Sequence, residues 1–211
     1  MKHQLITCLL LIGIAAGCVE KKQDATMAEP ADKNKKTENS DSAGKTESEK
    51  KLSFTIKPGV RISFTETHPV GMSSSDVEVK LEGDRSGELA FRDIDPVTNI
   101  LEADLDNNGS KEWYIITGAA GSGSYGNIKG ITISKDEALD EILIPDLTAE
   151  EGYQGHDAFS IEKGKLVRRF PVYKKGDENA NPTGGQKEIL YTLMQFPGGK
   201  YALSREKDVR F

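Results

Sequence analysis

The stretch LSFTIKPGVRISF, residues 52–64, decides the fold. Leu52, Phe54 and Ile56 alternate with Ser53, Thr55 and Lys57, and after Pro58-Gly59 the alternation resumes at Val60, Ile62 and Phe64. A period of two sends successive side chains to opposite faces of an extended chain, so both runs read as strands with one face buried and one wet. Proline presets the first turn dihedral and glycine accepts a positive φ, so Pro58-Gly59 reads as the turn between them.

Working outward, the pattern repeats. Val77, Val79 and Leu81 alternate in the same way, and Leu89 and Phe91 begin a further short strand. Trp113-Tyr114-Ile115-Ile116 is apolar on both faces, which predicts a central strand. Ile131 and Ile133 mark the strand after it. Phe159 and Ile161 lead into EKGK, a hairpin turn at Lys163-Gly164, from which Leu166 to Tyr173 returns. Two more strands are expected at Ile189–Phe196 and Tyr201–Leu203, joined by Pro197-Gly198-Gly199. One segment, Ser134 to Leu143, can begin as a helix with a Ser134/Glu137 capping box. Its end, Ile142 to Ile144 before Pro145, reads equally as a strand end. The expected fold class is all-β and mostly antiparallel, a β-sandwich or flattened barrel with few short helical turns.

The beginning of the chain reads differently. Lys2 precedes an apolar stretch, Leu5 to Ala16, and then come Gly17 and Cys18. That layout is a secretory signal, too short for a spanning helix. The string IAAGC resembles the bacterial lipobox, with Ala15 standing where leucine is commonest. The resemblance implies cleavage after residue 17 and a lipid on Cys18. Residues 18–50 carry almost no large apolar side chains, so they cannot offset their ordering entropy and are expected to be a disordered tether. A flexible chain of this length spans about 30 Å. Val19 follows the cysteine, with no aspartate to signal inner-membrane retention. The expected location is the outer membrane, facing the periplasm.

Residues 51–211 remain as one domain. They contain no cysteine, so packing alone must stabilise an exported fold. Acidic residues outnumber basic ones 34 to 28, for a formal net charge of −6. That balance excludes phosphate-backbone binding, which needs clustered lysine and arginine, so no nucleic-acid partner is expected. It is compatible with a cationic partner.

The stretch DLDNNGSKEWYIITGAAGSGSYGNIKG, residues 104–130, carries most of the chemistry. The buried strand emerges at Thr117 into a loop of small residues, Gly118 to Ser124, that ends in Tyr125 and Gly126. Glycine lets another surface approach closely, and tyrosine offers broad contact area with few rotors to freeze. Two readings are open: a narrow finger that enters a cleft, or a glycine-rich turn whose tyrosine folds back onto the sheet. Gly121, Gly123 and Gly126 also satisfy G-x-G-x-x-G. The residues that follow are β-rich, however, and no helix begins there to hold a pyrophosphate.

Asp104, Asp106, Asn108 and Gly109 form D-x-D-x-N-G, with Glu112 beyond. The preferred reading is a hairpin turn whose side chains bond their own backbone. A calcium loop is the alternative. An EF-hand would need glutamate where Ile115 stands, so such a loop would use Glu112 instead. No other cofactor is expected. Catalytic constellations are thin. His68 and His156 are the histidines after Cys18, and neither has a nucleophile or zinc-ligand spacing beside it.

Three blocks together resemble the bacterial periplasmic inhibitors of invertebrate-type lysozyme. They are LEADLDNNGSKEWYI leading into AGSGSYG, then GYQGHDAFSIEKGKLVRRFPVYKKGDENANPTGG, and last ILYTL. They span most of Leu101 to Leu193. The resemblance implies an all-β, non-enzymatic domain that binds lysozyme through a Ser-Gly-x-Tyr loop inserted into its cleft. Here that motif is Ser122-Gly123-Ser124-Tyr125. Lysozyme cleaves with a pair of carboxyl groups. By the resemblance, Ser122 would hydrogen-bond that pair and Tyr125 would fill a neighbouring sugar subsite. The implied partner is lysozyme of the invertebrate type. The alternatives are a periplasmic glycan- or calcium-binding lipoprotein module built on the acidic turn, and an enzyme built around His156.

Overall fold

The computed structural model describes residues 48–211, except Arg85, Ala120, Ser122, Gly123, Lys135, Glu137, Thr148, Ala149 and Glu151. The signal, Cys18 and nearly all of the tether fall on residues 1–47, outside the described residues. The protein is all-β. Its strands are β1 (Ser48–Lys57), β2 (Val60–His68), β3 (Ser75–Glu82), β4 (Gly87–Ile94), β5 (Val97–Ala103) and β6 (Glu112–Gly118). They continue as β7 (Gly126–Ile133), β8 (Leu139–Leu143), β9 (Ala158–Glu162), β10 (Lys165–Pro171), β11 (Gln186–Gln195) and β12 (Tyr201–Arg210).

The strands form two sheets. β1 to β4 make an antiparallel meander. The other eight run in the order β5-β6-β7-β8-β12-β11-β10-β9, and contacts between β5 and β9 bring its two edges close to barrel closure. The pairing of β8 with β12 is parallel, and the other pairings between these strands are antiparallel.

β6 explains the doubly apolar run. Trp113 and Ile115 face the four-stranded sheet and pack with Ile62, Phe64, Val77, Val79 and Leu81. Tyr114 and Ile116 face the inside of the curled sheet, among Leu166, Phe170, Ile189 and Tyr191. One strand thus serves two cores, and the fold combines a sandwich with a flattened barrel. The inner core admits close packing at Gly130, where a Cβ would meet Ile142 Cβ at 2.8 Å and Tyr114 Cε1 at 3.3 Å.

Three local expectations need correction. β1 begins at Ser48, ahead of Lys51, and is an edge strand exposed along nearly its whole length. Leu52 and Ile56 therefore face solvent, and only Phe54 is half-buried, against Phe64 and Trp113. Charged side chains beside them (Lys50, Lys51 and Lys57) discourage pairing with another edge. Within 134–143 the described residues form no helix. Ser134 and Ala138 close a tight turn through Ser134 N–H to Ala138 O at 2.9 Å, and β8 follows. Among the described residues there is no helix.

Candidate functional site

The small-residue loop is the connection of a β6–β7 hairpin. Gly118 pairs with Gly126 at its base, and Ala119 N–H donates to Tyr125 O at 3.0 Å. Ser124 N–H donates to Gly121 O at 3.1 Å, and Ser124 takes a left-handed φ of 41°. Ser122 and Gly123 lie outside the described residues. Tyr125 is 47% exposed. Its ring rests edge-on against Tyr153 at a centroid distance of 5.7 Å, and Tyr153 stands in the same way on Phe170 at 4.9 Å. The aromatic at the end of the loop is displayed at the surface, with a column of two rings beneath it that reaches the inner core.

The base of this loop is held by groups that the sequence reading did not single out. Asp157 Oδ2 accepts from Gly126 N–H at 2.8 Å, and Arg168 Nη2 donates to Gly126 O at 2.9 Å. The two side chains meet each other through Arg168 Nε and Asp157 Oδ1 at 2.7 Å. The Tyr153 hydroxyl completes the cluster, donating to Asp157 Oδ2 at 2.7 Å and accepting from Arg168 Nη2 at 2.8 Å. The side chains of Asp157 and Arg168 are 0% and 7% exposed. Burial alone would lower the pKa of Arg168, but the hydrogen bond and charge of Asp157 outweigh it and raise it. Burial, then the hydrogen bond to Asp157, raises that of Tyr153. The guanidinium also lies over the rings of Tyr153 and Phe159, contacts that favour a partly desolvated cation.

The segment GYQGHD, residues 152–157, therefore has a structural task. It supplies Tyr153 and Asp157 to the clamp, and His156 N–H donates to Ser124 O at 3.2 Å. The φ of His156 is 60°, in the left-handed region, and its ring reaches Asn179 Oδ1 at 3.3 Å. The imidazole thus links the loop's support to the long 174–185 connection. Asp177 organises that connection by accepting from Lys174 N–H, Thr183 N–H and the Thr183 hydroxyl. Among the described residues the His156 ring meets Asn179 and the ring of Tyr173. His68 sits elsewhere, with Nδ1 2.9 Å from the Ser75 hydroxyl.

One sequence signal could have exposed the clamp. Leu166, Arg168 and Phe170 share the inward face of β10, and all three are buried. An arginine at a core position of an alternating strand requires a buried carboxylate. A cleft of about 550 Å³ adjoins the site, lined by Tyr125, Lys129, Leu143, Tyr153 and Arg168 among others.

The acidic turn lies at the other end of β6. Asp104, Asp106 and Glu112 each present a carboxylate oxygen within 4.8 Å of the others. Asp104 accepts from the N–H groups of Asn108 and Gly109, Asp106 from Asn108, and Asn108 from Ser110 N–H. These are the bonds that the hairpin-turn reading requires, and Asn107 and Gly109 take positive φ values of 56° and 87°. Glu112 is different. It is completely buried, and Oε2 accepts from Leu105 N–H at 2.8 Å. Its Oε1 has no partner among the described residues. Burial pushes its carboxyl up to about 7. The Leu105 hydrogen bond opposes that shift, and the charges of Asp106 and Asp104 add to it.

No family model, curated protein or solved structure matches this chain.

Proposed function

We propose that this protein is a non-enzymatic inhibitor of lysozyme, tethered to the outer membrane by a lipid on Cys18 and acting in the periplasm to protect peptidoglycan. The observation that carries the reading is Tyr125, presented at the surface on a hairpin whose base is pinned by a buried ion pair. A ligand held in its bound shape before association loses less conformational entropy on binding, so a rigid base favours a plug-like mode of action. Tyr125 would occupy a sugar subsite, and Ser122 would hydrogen-bond the carboxyl pair that cleaves the glycan. Ser124 and Gly123 would complete the inserted segment. The net charge of −6 suits a cationic partner.

The test is inhibition of lysis by purified protein against three lysozyme classes, the invertebrate type among them. The expected result is selective inhibition of the invertebrate type. The double variant Ser122→Ala/Tyr125→Ala should weaken inhibition by about 100-fold, the scale of interface hot spots. A double variant that inhibits as well as wild type would rule out the loop mechanism. Failure of the wild type against every class would rule out the function. Anchoring is read separately: Cys18→Ala should move the protein from the membrane to the soluble fraction.

A further inference from the structure

We infer that the β5–β6 turn is a calcium site, built by Asp104, Asp106 and Asn108 and closed from beneath by Glu112. It lies at the opposite end of β6 from the Tyr125 hairpin and stands independently of the inhibitor reading. The acidic cluster alone would not establish such a site, because exposed carboxylates often gather at turns. The decisive feature is Glu112 Oε1, fully buried with no partner among the described residues, on a carboxylate within 4.8 Å of two others. Trp113 Nε1 and the Tyr114 hydroxyl are likewise buried without a partner among the described residues, but a carboxylate oxygen left so costs more than a neutral group. A carboxylate aimed at two more carboxylates adds like-charge repulsion. A hard cation among the three removes both costs.

The spacing fits calcium. Counted from Asp104 as position one, oxygen side chains fall at positions one, three and five, and Gly109 makes the sharp turn at position six with a φ of 87°. Ser110 then offers a backbone carbonyl at position seven, as in helix-flanked calcium loops. Glu112 at position nine takes the place of the usual glutamate at twelve. It can do so because a strand, not a helix, follows the turn. Residues Glu112, Tyr114 and Ile116 point into the curled sheet, so Glu112 reaches the turn from below. Three carboxylates, an amide, a carbonyl and water supply the six to eight oxygen ligands calcium prefers. Magnesium demands a tighter octahedron and holds its water more strongly.

The experiment uses the full-length protein stripped with a chelator and then titrated with calcium chloride, read by calorimetry and by thermal melting. Saturating calcium should raise Tm by about 5 °C or more, with magnesium at the same concentration giving a much smaller shift. Asp106→Asn changes an exposed turn residue and should weaken calcium binding at least 10-fold without unfolding the protein. Glu112→Gln should abolish the shift. No heat and no change in Tm at 10 mM calcium would overturn the site. An equal response to magnesium, or a full calcium response in both variants, would overturn it as well.

Discussion

Arg168 and Asp157 meet at 2.7 Å in the protein interior, and between them they take both backbone groups of Gly126: the carboxylate its N–H and the guanidinium its carbonyl. The pair therefore fixes where β7 begins, and with it the residue before, Tyr125. Replacing one partner strands the other as a buried charge, at a cost of about 3–5 kcal/mol. Arg168→Met and Asp157→Asn should each lower stability by about that much in urea denaturation. The double variant should lose less than the sum of the two, because it leaves no uncompensated charge. In wild type the Gly126 amide should exchange slowly with solvent, and in Asp157→Asn rapidly. Single variants within about 0.5 kcal/mol of wild type would show that the clamp does not hold the hairpin.

Gly126 offers a second probe, steric where the first is electrostatic. A Cβ there would lie 2.7 Å from Asp157 Cβ and 3.0 Å from Phe159 Cε2. Both neighbours are fixed, Asp157 by its three partners and Phe159 within β9. Gly126→Ala should therefore cost about 1–3 kcal/mol, the range for overpacking a filled site. Gly121→Ala is the control. Among the described residues nothing lies within 4 Å of its added carbon, so its effect should stay within about 0.5 kcal/mol. Thermal melts of the two variants side by side decide the matter. Equal melting temperatures would contradict the close approach.

What could be read in advance follows from how far each feature is local. Val77, Val79 and Leu81, or Trp113 to Ile116, declare their strands because burial alternates or continues along the run itself. β5 gives no such signal, because the register shifts between Val97 and Asn99, and Thr98 and Asn99 at that irregularity are exposed. β8 is ambiguous in the sequence because it is only five residues long, and its pairings, antiparallel with β7 and parallel with β12, are not written in its own pattern. The lean of Leu52 and Ile56 toward a core failed because alternation gives a face but not a position in the sheet, and β1 is an edge. Tyr125 was legible as the one large side chain after a run of small ones. Its support is legible only at Arg168, an arginine on a core face, because the segment from Tyr153 to Arg168 is distant in the chain from Tyr125 and nothing local joins the two. The burial of Glu112 was equally hidden, because it depends on which way the sheet curls.

Glu150 should contribute to acid sensitivity. Its carboxylate joins the connection after β8 to two strands, accepting from Lys187 on β11 and from Arg205 on β12. The hydrogen bond from Lys187, opposed by partial burial and aided by Arg205, holds its pKa below the ordinary value of 4.5. A carboxyl whose folded pKa is depressed binds fewer protons folded than unfolded near that range, so stability rises with pH there. Its contribution is complete above the unfolded value and is lost as pH falls through the folded one. Glu150→Gln removes the titrating group while leaving an amide of similar shape. At neutral pH the variant should melt below wild type, because Lys187 and Arg205 lose their shared acceptor. As pH falls below the ordinary carboxylate value and on through the depressed folded one, the gap should close as wild type itself protonates. Melting curves taken from pH 2 to pH 7 on both proteins report the difference directly, since the other carboxylates titrate alike in each. A gap that stays constant down to pH 2 would mean that Glu150 contributes by shape rather than charge.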